Sequence, residues 1–157
     1  MFEILVYVFE NYLPEACPEP STLARKLSAI GFEADAISDA LHWLAGLELA
    51  HDTHSLLCQP SEKSIRCYDG MEILHLSAEC RGFLSFLEQA NAIDTQTREM
   101  IIERALAVVG DESLVMSLEK FKVIVLMVMW HRQLSLDNLV FEDLLLEEDD
   151  REPPLMH

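Results

Sequence analysis

The sequence predicts a mainly α-helical protein: an N-terminal helix-turn-helix or winged-helix-like lobe with a short β-hairpin, packed against a C-terminal helical bundle. Three observations carry that expectation. Apolar residues recur at the helical period in one segment after another. Half of the 157 residues are hydrophobic, yet the chain has five glycines and six prolines, too few for the frequent turns of a many-stranded fold. Gly31 falls between two amphipathic segments, where a tight turn would join the second and third helices.

Each element follows from its residues. Phe2, Leu5, Val8, Phe9 and Tyr12 form one face of a helix ending near Leu13, and Pro14, Pro18 and Pro20 break it. Ser21 or Thr22 is expected to cap a short helix through Leu23, Leu27 and Ile30. Gly31 then suits the left-handed position after a helix C-terminus. The third helix is read from Phe32 to Ala50, with Ile37, Ala40, Leu41 and Leu44 as its buried stripe. Residues 55–58 and 64–68 read as two short strands flanking Pro60, with Asp69 and Gly70 closing the second; a three-helix unit with an irregular loop is the competing reading.

The second half is helical again. Ser77 is expected to cap a helix that buries Cys80, Phe83, Leu84, Leu87 and Ala90, and Asp94 to cap one that buries Ile101, Ile102, Ala105, Leu106, Val108 and Val109. Ser117 opens a helix through Trp130 that is apolar nearly all round, so it must be enclosed by other helices or by a partner. A last amphipathic helix is read over 138–148, and its acidic end opposes the helix dipole. The resulting organisation is a winged-helix-like lobe over 1–70, a helical lobe over 71–150 and a disordered tail over 151–157.

Charge narrows the function classes. The formal net charge is −17 at pH 7. Such a surface repels nucleic acid and anionic membranes and favours a basic partner. From Leu27 to Glu62 there is no lysine or arginine, although this stretch holds the helix that would read DNA in a helix-turn-helix protein. It carries Glu33, Asp35, Asp39 and Glu48 instead. The first residues lack a basic leader and contain Glu3 and Glu10, and the longest apolar run, 123–130, is too short to span a bilayer, so a cytoplasmic protein is expected. Four cysteines without C-x-x-C spacing read as reduced thiols.

Catalytic and phosphate-binding signatures are missing: there is no glycine-rich phosphate loop and no G-x-S-x-G elbow. His51, His54, Cys58 and Cys67 are the best metal candidates, as two imidazoles and two thiolates can hold Zn²⁺, but their spacing departs from zinc knuckles and solvated histidines with packed thiols are the simpler reading. No cofactor is expected. Trp43 and Trp130 are assigned to core packing rather than to an interface. Arg81, Arg98 and Arg104 could meet an anion, but pairing with the chain's own acids is the preferred reading.

Several blocks together resemble one family. Cys80-Arg-Gly-Phe-Leu-Ser-Phe-Leu-Glu-Gln89, Thr97-Arg-Glu-Met-Ile-Ile-Glu-Arg104 and Val123-Ile-Val-Leu-Met-Val128 are similar to signature blocks of the bacterial Smg proteins. The N-terminal ten residues, Gly31 to Ile37, Ala40 to Leu44 and Ser64 to Asp69 resemble the same family, in order along the whole chain. The resemblance implies a link to DNA metabolism through neighbouring genes for DNA-processing proteins, and it brings no catalytic or ligand residues.

The functional expectation is therefore a non-enzymatic cytosolic interaction or regulatory protein whose acidic surface docks a basic protein. Glu33, Asp35, Asp39, Glu142 and Asp143 are the candidate partner-binding residues. Direct nucleic-acid binding, or mimicry of DNA by carboxylates, is the alternative. No membrane partner is expected, and homo-oligomerisation is left open.

Overall fold

A computed structural model describes residues 1–54, 66–109 and 114–134, except for the side chains of 51–54. These residues form seven α-helices: α1 (Phe2–Asn11), α2 (Pro20–Ile30), α3 (Ala34–His54), α4 (Gly70–His75), α5 (Ala78–Gln89), α6 (Thr95–Val109) and α7 (Leu118–His131). A 3₁₀ turn, Pro14–Ala16, links α1 to α2. The mainly helical expectation holds. Among the described residues, β-pairing is confined to one parallel bridge between Leu76 and Met116. The expected strand at 55–58, residues 64 and 65 of its partner, and the expected helix at 138–148 lie outside the described residues; residues 66–68 form no strand, and Asp69 and Gly70 open α4 instead of closing a hairpin, because the Asp69 carboxylate caps the helix.

Local chemistry sets the helix ends. Leu13 is extended ahead of Pro14, which the proline ring enforces, so α1 stops at Asn11 rather than near Leu13. Pro20 occupies the first turn of α2, where its missing N–H costs nothing; the helix thus starts before Ser21 and Thr22, and neither caps it. Gly31 closes α2 with φ at +114°, its N–H reaching the carbonyls of Leu27 and Ser28, while the Phe32 N–H returns to Leu27. Phe32 stays outside α3 and sets its ring edge-on to Tyr7 at 6.0 Å. Replacing Gly31 with alanine is expected to cost about 1–2 kcal/mol, because only glycine adopts this φ freely. Chemical denaturation of the variant checks it, and an unchanged midpoint would show that the turn rearranges at no cost.

Ser77, Asp94 and Ser117 act as the expected caps. Ser77 accepts the Cys80 N–H at 3.2 Å and Ser117 the Lys120 N–H at 3.4 Å. Asp94 accepts both the N–H and the hydroxyl of Thr97, at 2.8 and 2.6 Å. The leading-turn bonds on Ser77 and Ser117 start α5 and α7 directly after the Leu76–Met116 bridge, so these two helices leave it side by side.

One apolar core runs through the molecule, and α7 is its axis. Phe121, Ile124, Val125, Met127, Val128 and Met129 are all fully buried. Helices α1, α5 and α6 pack around α7, which explains an apolar circumference that no single stripe would need. Helix α3 lies across α1, α2 and α6. Its buried stripe is Ile37, Ala40, Trp43, Leu47 and Ala50, with Leu41 and Leu44 at the margin. Trp43 sits in the middle of that stripe, in keeping with its expected role in core packing. On α5, Cys80, Leu84 and Leu87 are buried as expected, whereas Ala90 is exposed and Phe83 is half-buried.

Candidate interaction surface

The acidic residues of α3 point outward. Glu33, Asp35 and Asp39 are exposed, with Asp35 in the first turn and Asp39 one turn further along the same face. The Glu33 carbonyl accepts the Ile37 N–H, so Glu33 is fixed to the start of the helix. Glu48 is also exposed, toward the other end. Glu142 and Asp143 lie outside the described residues, as does Cys58, and the side chains of His51 and His54 are likewise not described. The remaining metal candidate, Cys67, is exposed, and no cluster of three metal-ligating side chains occurs among the described residues.

Four arginines, Arg66, Arg98, Arg104 and Arg132, do the opposite: they are drawn inward. Arg66 grips Glu72 with both terminal nitrogens, at 2.7 and 2.6 Å, and donates to Glu99 at 2.6 and 3.1 Å. Arg98 bridges Glu88 at 2.7 Å and the same Glu99 at 3.0 Å. The result is a chain of alternating charge that ties the start of α4 to α6 and α6 to α5. Glu72 has a second task. It accepts the Asp69 N–H while its own N–H donates to the Asp69 carboxylate, a reciprocal capping box that opens α4. Tyr68 lies between two cations, with Arg66 at 5.0 Å and Arg81 at 5.8 Å from its ring centre.

Electrostatics follow from this arrangement. The Arg66 hydrogen bonds hold Glu72 below the usual carboxylate range, against the opposing effect of burial. Burial pushes Glu99 up, but bonds from Arg66 and Arg98 outweigh it, so Glu99 also ends below its ordinary value. Arg66 is correspondingly locked in its charged form, first by its bond to Glu72 and then by that to Glu99.

Arg104 is held by backbone rather than by an anion site. Its carbonyl accepts the Trp43 indole N–H at 3.1 Å, and its guanidinium donates to the Trp43 carbonyl at 3.5 Å and to Glu103 at 3.2 Å. Gly46 makes room for it: a Cβ there would run into the Arg104 guanidinium. A glycine in the interior of a 21-residue helix, normally unfavourable, thus has a packing reason. Trp130 also serves the interior, donating to the Tyr12 carbonyl at 2.9 Å and joining α7 to the end of α1. The arginines are thus paired internally as expected for Arg98 and Arg104; Arg81 instead stacks near Tyr68, with its Nε buried and without a hydrogen-bond partner.

A cleft of about 270 Å³ between the 3₁₀ turn, α3 and the end of α7 is lined by Cys17, Leu44, Leu47, Glu48, Trp130 and His131, among others. Burial, and then the nearby Glu48 carboxylate, push the Cys17 thiol up. Burial raises the Cys80 thiol too, and that thiol donates to the Met116 carbonyl at 3.5 Å. Both thiols are thereby kept protonated, the reverse of what an activated nucleophile requires.

Comparison with known proteins bears on the whole of this surface. The family described as "Protein of unknown function (DUF494)" matches residues 1–153. A protein named Protein Smg homolog from Azoarcus sp. (strain BH72) is 48% identical over 159 residues, covering all of both chains. A second from Aromatoleum aromaticum is 52% identical over 157 residues, covering 99% of each, and one from Bordetella pertussis is 44% identical over 152 residues. The chain belongs to the Smg family. No solved structure matches it. The span matched by the Smg family, residues 1–153, includes both the acidic α3 face and the arginine-centred chain of ion pairs. Among its described residues, this Smg chain has no helix long and apolar enough to cross a membrane.

Proposed function

We propose that this Smg chain is a non-enzymatic, cytosolic interaction or regulatory protein that docks a basic protein through its acidic faces, in a process linked to DNA metabolism. The observation that carries the reading is the sorting of charge. Arg66, Arg98, Arg104 and Arg132 have side chains only 12–18% exposed and are tied to the chain's own carboxylates, whereas Glu33, Asp35 and Asp39 face solvent. These cations are thus engaged within the fold, which leaves the α3 carboxylates at the surface to set the local field. Such a field speeds encounter with cations and opposes encounter with phosphates. The winged-helix-like reading of residues 1–70 belongs to the same proposal, with α3 as a protein-facing rather than a phosphate-facing helix.

Affinity capture tests the proposal. Full-length protein immobilised at low salt is expected to retain a basic protein that elutes as salt shortens the screening length from ~10 Å at 0.1 M to ~3 Å at 1 M. The triple variant Glu33→Gln, Asp35→Asn, Asp39→Asn should retain several-fold less while keeping its helical circular dichroism. Equal capture by the variant would overturn the role of α3. Binding of a DNA fragment tighter than ~10 μM at low salt would instead favour the nucleic-acid alternative, since nonspecific binders already reach ~10⁻⁴–10⁻⁶ M at physiological salt. DNA that competes with the captured protein for its own binding site would identify mimicry.

A further inference from the structure

Of the nine exposed large apolar side chains among the described residues, five fall on two segments that the backbone joins. Met71, Ile73 and Leu74 of α4 and Leu114 and Val115 of the strap before α7 are each between 50% and 60% exposed. The backbone brings the two segments together. The His75 ring nitrogen Nδ1 lies 3.2 Å from the Leu114 carbonyl, the Met116 N–H donates to the His75 carbonyl at 2.7 Å, and Leu76 pairs with Met116. In α4, Glu72 and His75 take the inward positions, which leaves Met71, Ile73 and Leu74 to the solvent side. The packing inside is complete without them: Leu76 and Met116 plug the core beneath the patch. Five large apolar residues gathered on one rigid platform are what an interface presents, whereas single exposed residues need no explanation.

The platform is built to stay in place. Glu72 is clamped by Arg66, which also holds Glu99 of α6, so α4 cannot lift without breaking that chain of ion pairs. The rim is acidic. Asp69 stands at the head of α4, Glu79 in the first turn of α5 and Glu119 in the first turn of α7, all exposed, with Lys120 as the exposed cation nearby.

We propose that this platform is a docking site for an amphipathic segment of a partner protein with apolar anchors and basic flanks. Charge complementarity selects this occupant. The apolar centre asks for apolar anchors, and the acidic rim asks for lysine or arginine beside them. A second copy would bring another −17 charge to the same contact, and the chain's own residues 138–148 are as acidic as the rim. The inference rests on the basic-partner reading above and adds where the apolar part of the contact lies.

Three synthetic peptides sharing one apolar helix face and flanked by Lys, Gln or Glu separate the outcomes, with fluorescence anisotropy on the full-length chain as readout. The Lys-flanked peptide is expected to bind at least tenfold tighter than the Glu-flanked one. The double variant Leu74→Ser, Val115→Ser, both at solvent-exposed positions, should weaken that binding at least tenfold with unchanged thermal stability. Binding that survives this variant but is lost in the α3 triple variant overturns the platform and leaves the acidic-face reading standing. Equal binding of all three peptides, lost in Leu74→Ser, Val115→Ser, overturns the basic occupant and the basic-partner reading with it. A dimer in light scattering that the same variant splits overturns the proposal in favour of a second copy.

Discussion

Replacing Phe121 with alanine is expected to destabilise the protein by about 3–5 kcal/mol, the range for emptying a fully buried aromatic site. Phe121 is completely buried in the first turns of α7, and every residue from Ile124 to Met129 behind it is buried as well. The wall cannot collapse into the gap without moving α1, α5 or α6, each of which also packs on α7. Val123 is the contrast on the same helix: it is half-buried, so its truncation to alanine should cost about 1 kcal/mol, in proportion to the smaller area removed. For a chain of this length, about 1 kcal/mol corresponds to roughly 2–4 °C in Tm, so the Phe121 variant should melt some ~6–20 °C lower. Urea denaturation at constant m-value is the direct check. A loss below about 1.5 kcal/mol would mean that the site relaxes and that α7 is not the rigid axis its burial implies.

That axis was legible in the sequence because a run apolar on every side has one physical solution, enclosure. The caps at Ser77, Asp94 and Ser117 and the left-handed Gly31 were legible for the same kind of reason: each satisfies orphan backbone groups within a few residues of itself. The start of α2 was misread because Pro20 and the two hydroxyl residues after it offer competing local signals, and the proline at the first position prevails. Helix α4 carries a local signal, the capping-box spacing Asp69-x-x-Glu72, but Asp69-Gly70 is equally a turn signal and competes with it. Long-range partners were beyond any local rule. Arg66 and Glu99 are 33 residues apart, and Trp43 and Arg104 are 61 apart, so their pairing is a product of how α3, α4 and α6 stack. The exposed acids of α3 were legible as a charged face. The apolar platform was not, because Met71, Ile73 and Leu74 read as core by composition, and only the inward positions of Glu72 and His75 turn them outward.

The ion-pair chain that holds the platform yields the second large effect. Arg66→Met should cost about 2–3 kcal/mol at pH 7, less than the ~3–5 kcal/mol typical when one partner of a fully buried pair is removed, because Glu99 is 30% exposed and water offsets part of its loss. The stranded charge, not the missing contact, is the main cost. Adding Glu72→Gln and Glu99→Gln to Arg66→Met should therefore recover about half of it, whereas a cost arising from lost packing would persist. The pH dependence gives an independent reading. Glu72 and Glu99 have lowered values in the folded protein, so the unfolded chain binds more protons on acidification. Their contribution is complete above the ordinary glutamate value of about 4.3 and is lost as pH falls through it toward the lower folded values. Without Arg66, burial is opposed only by Arg98 and the Asp69 N–H, so both carboxylates take up protons more readily, and the gap between wild type and Arg66→Met should narrow between pH 7 and pH 4. Urea titrations at the two pH values measure that gap. A gap of the same size at both would show that Arg66 stabilises the fold by its packing on Tyr68, with the carboxylates as bystanders.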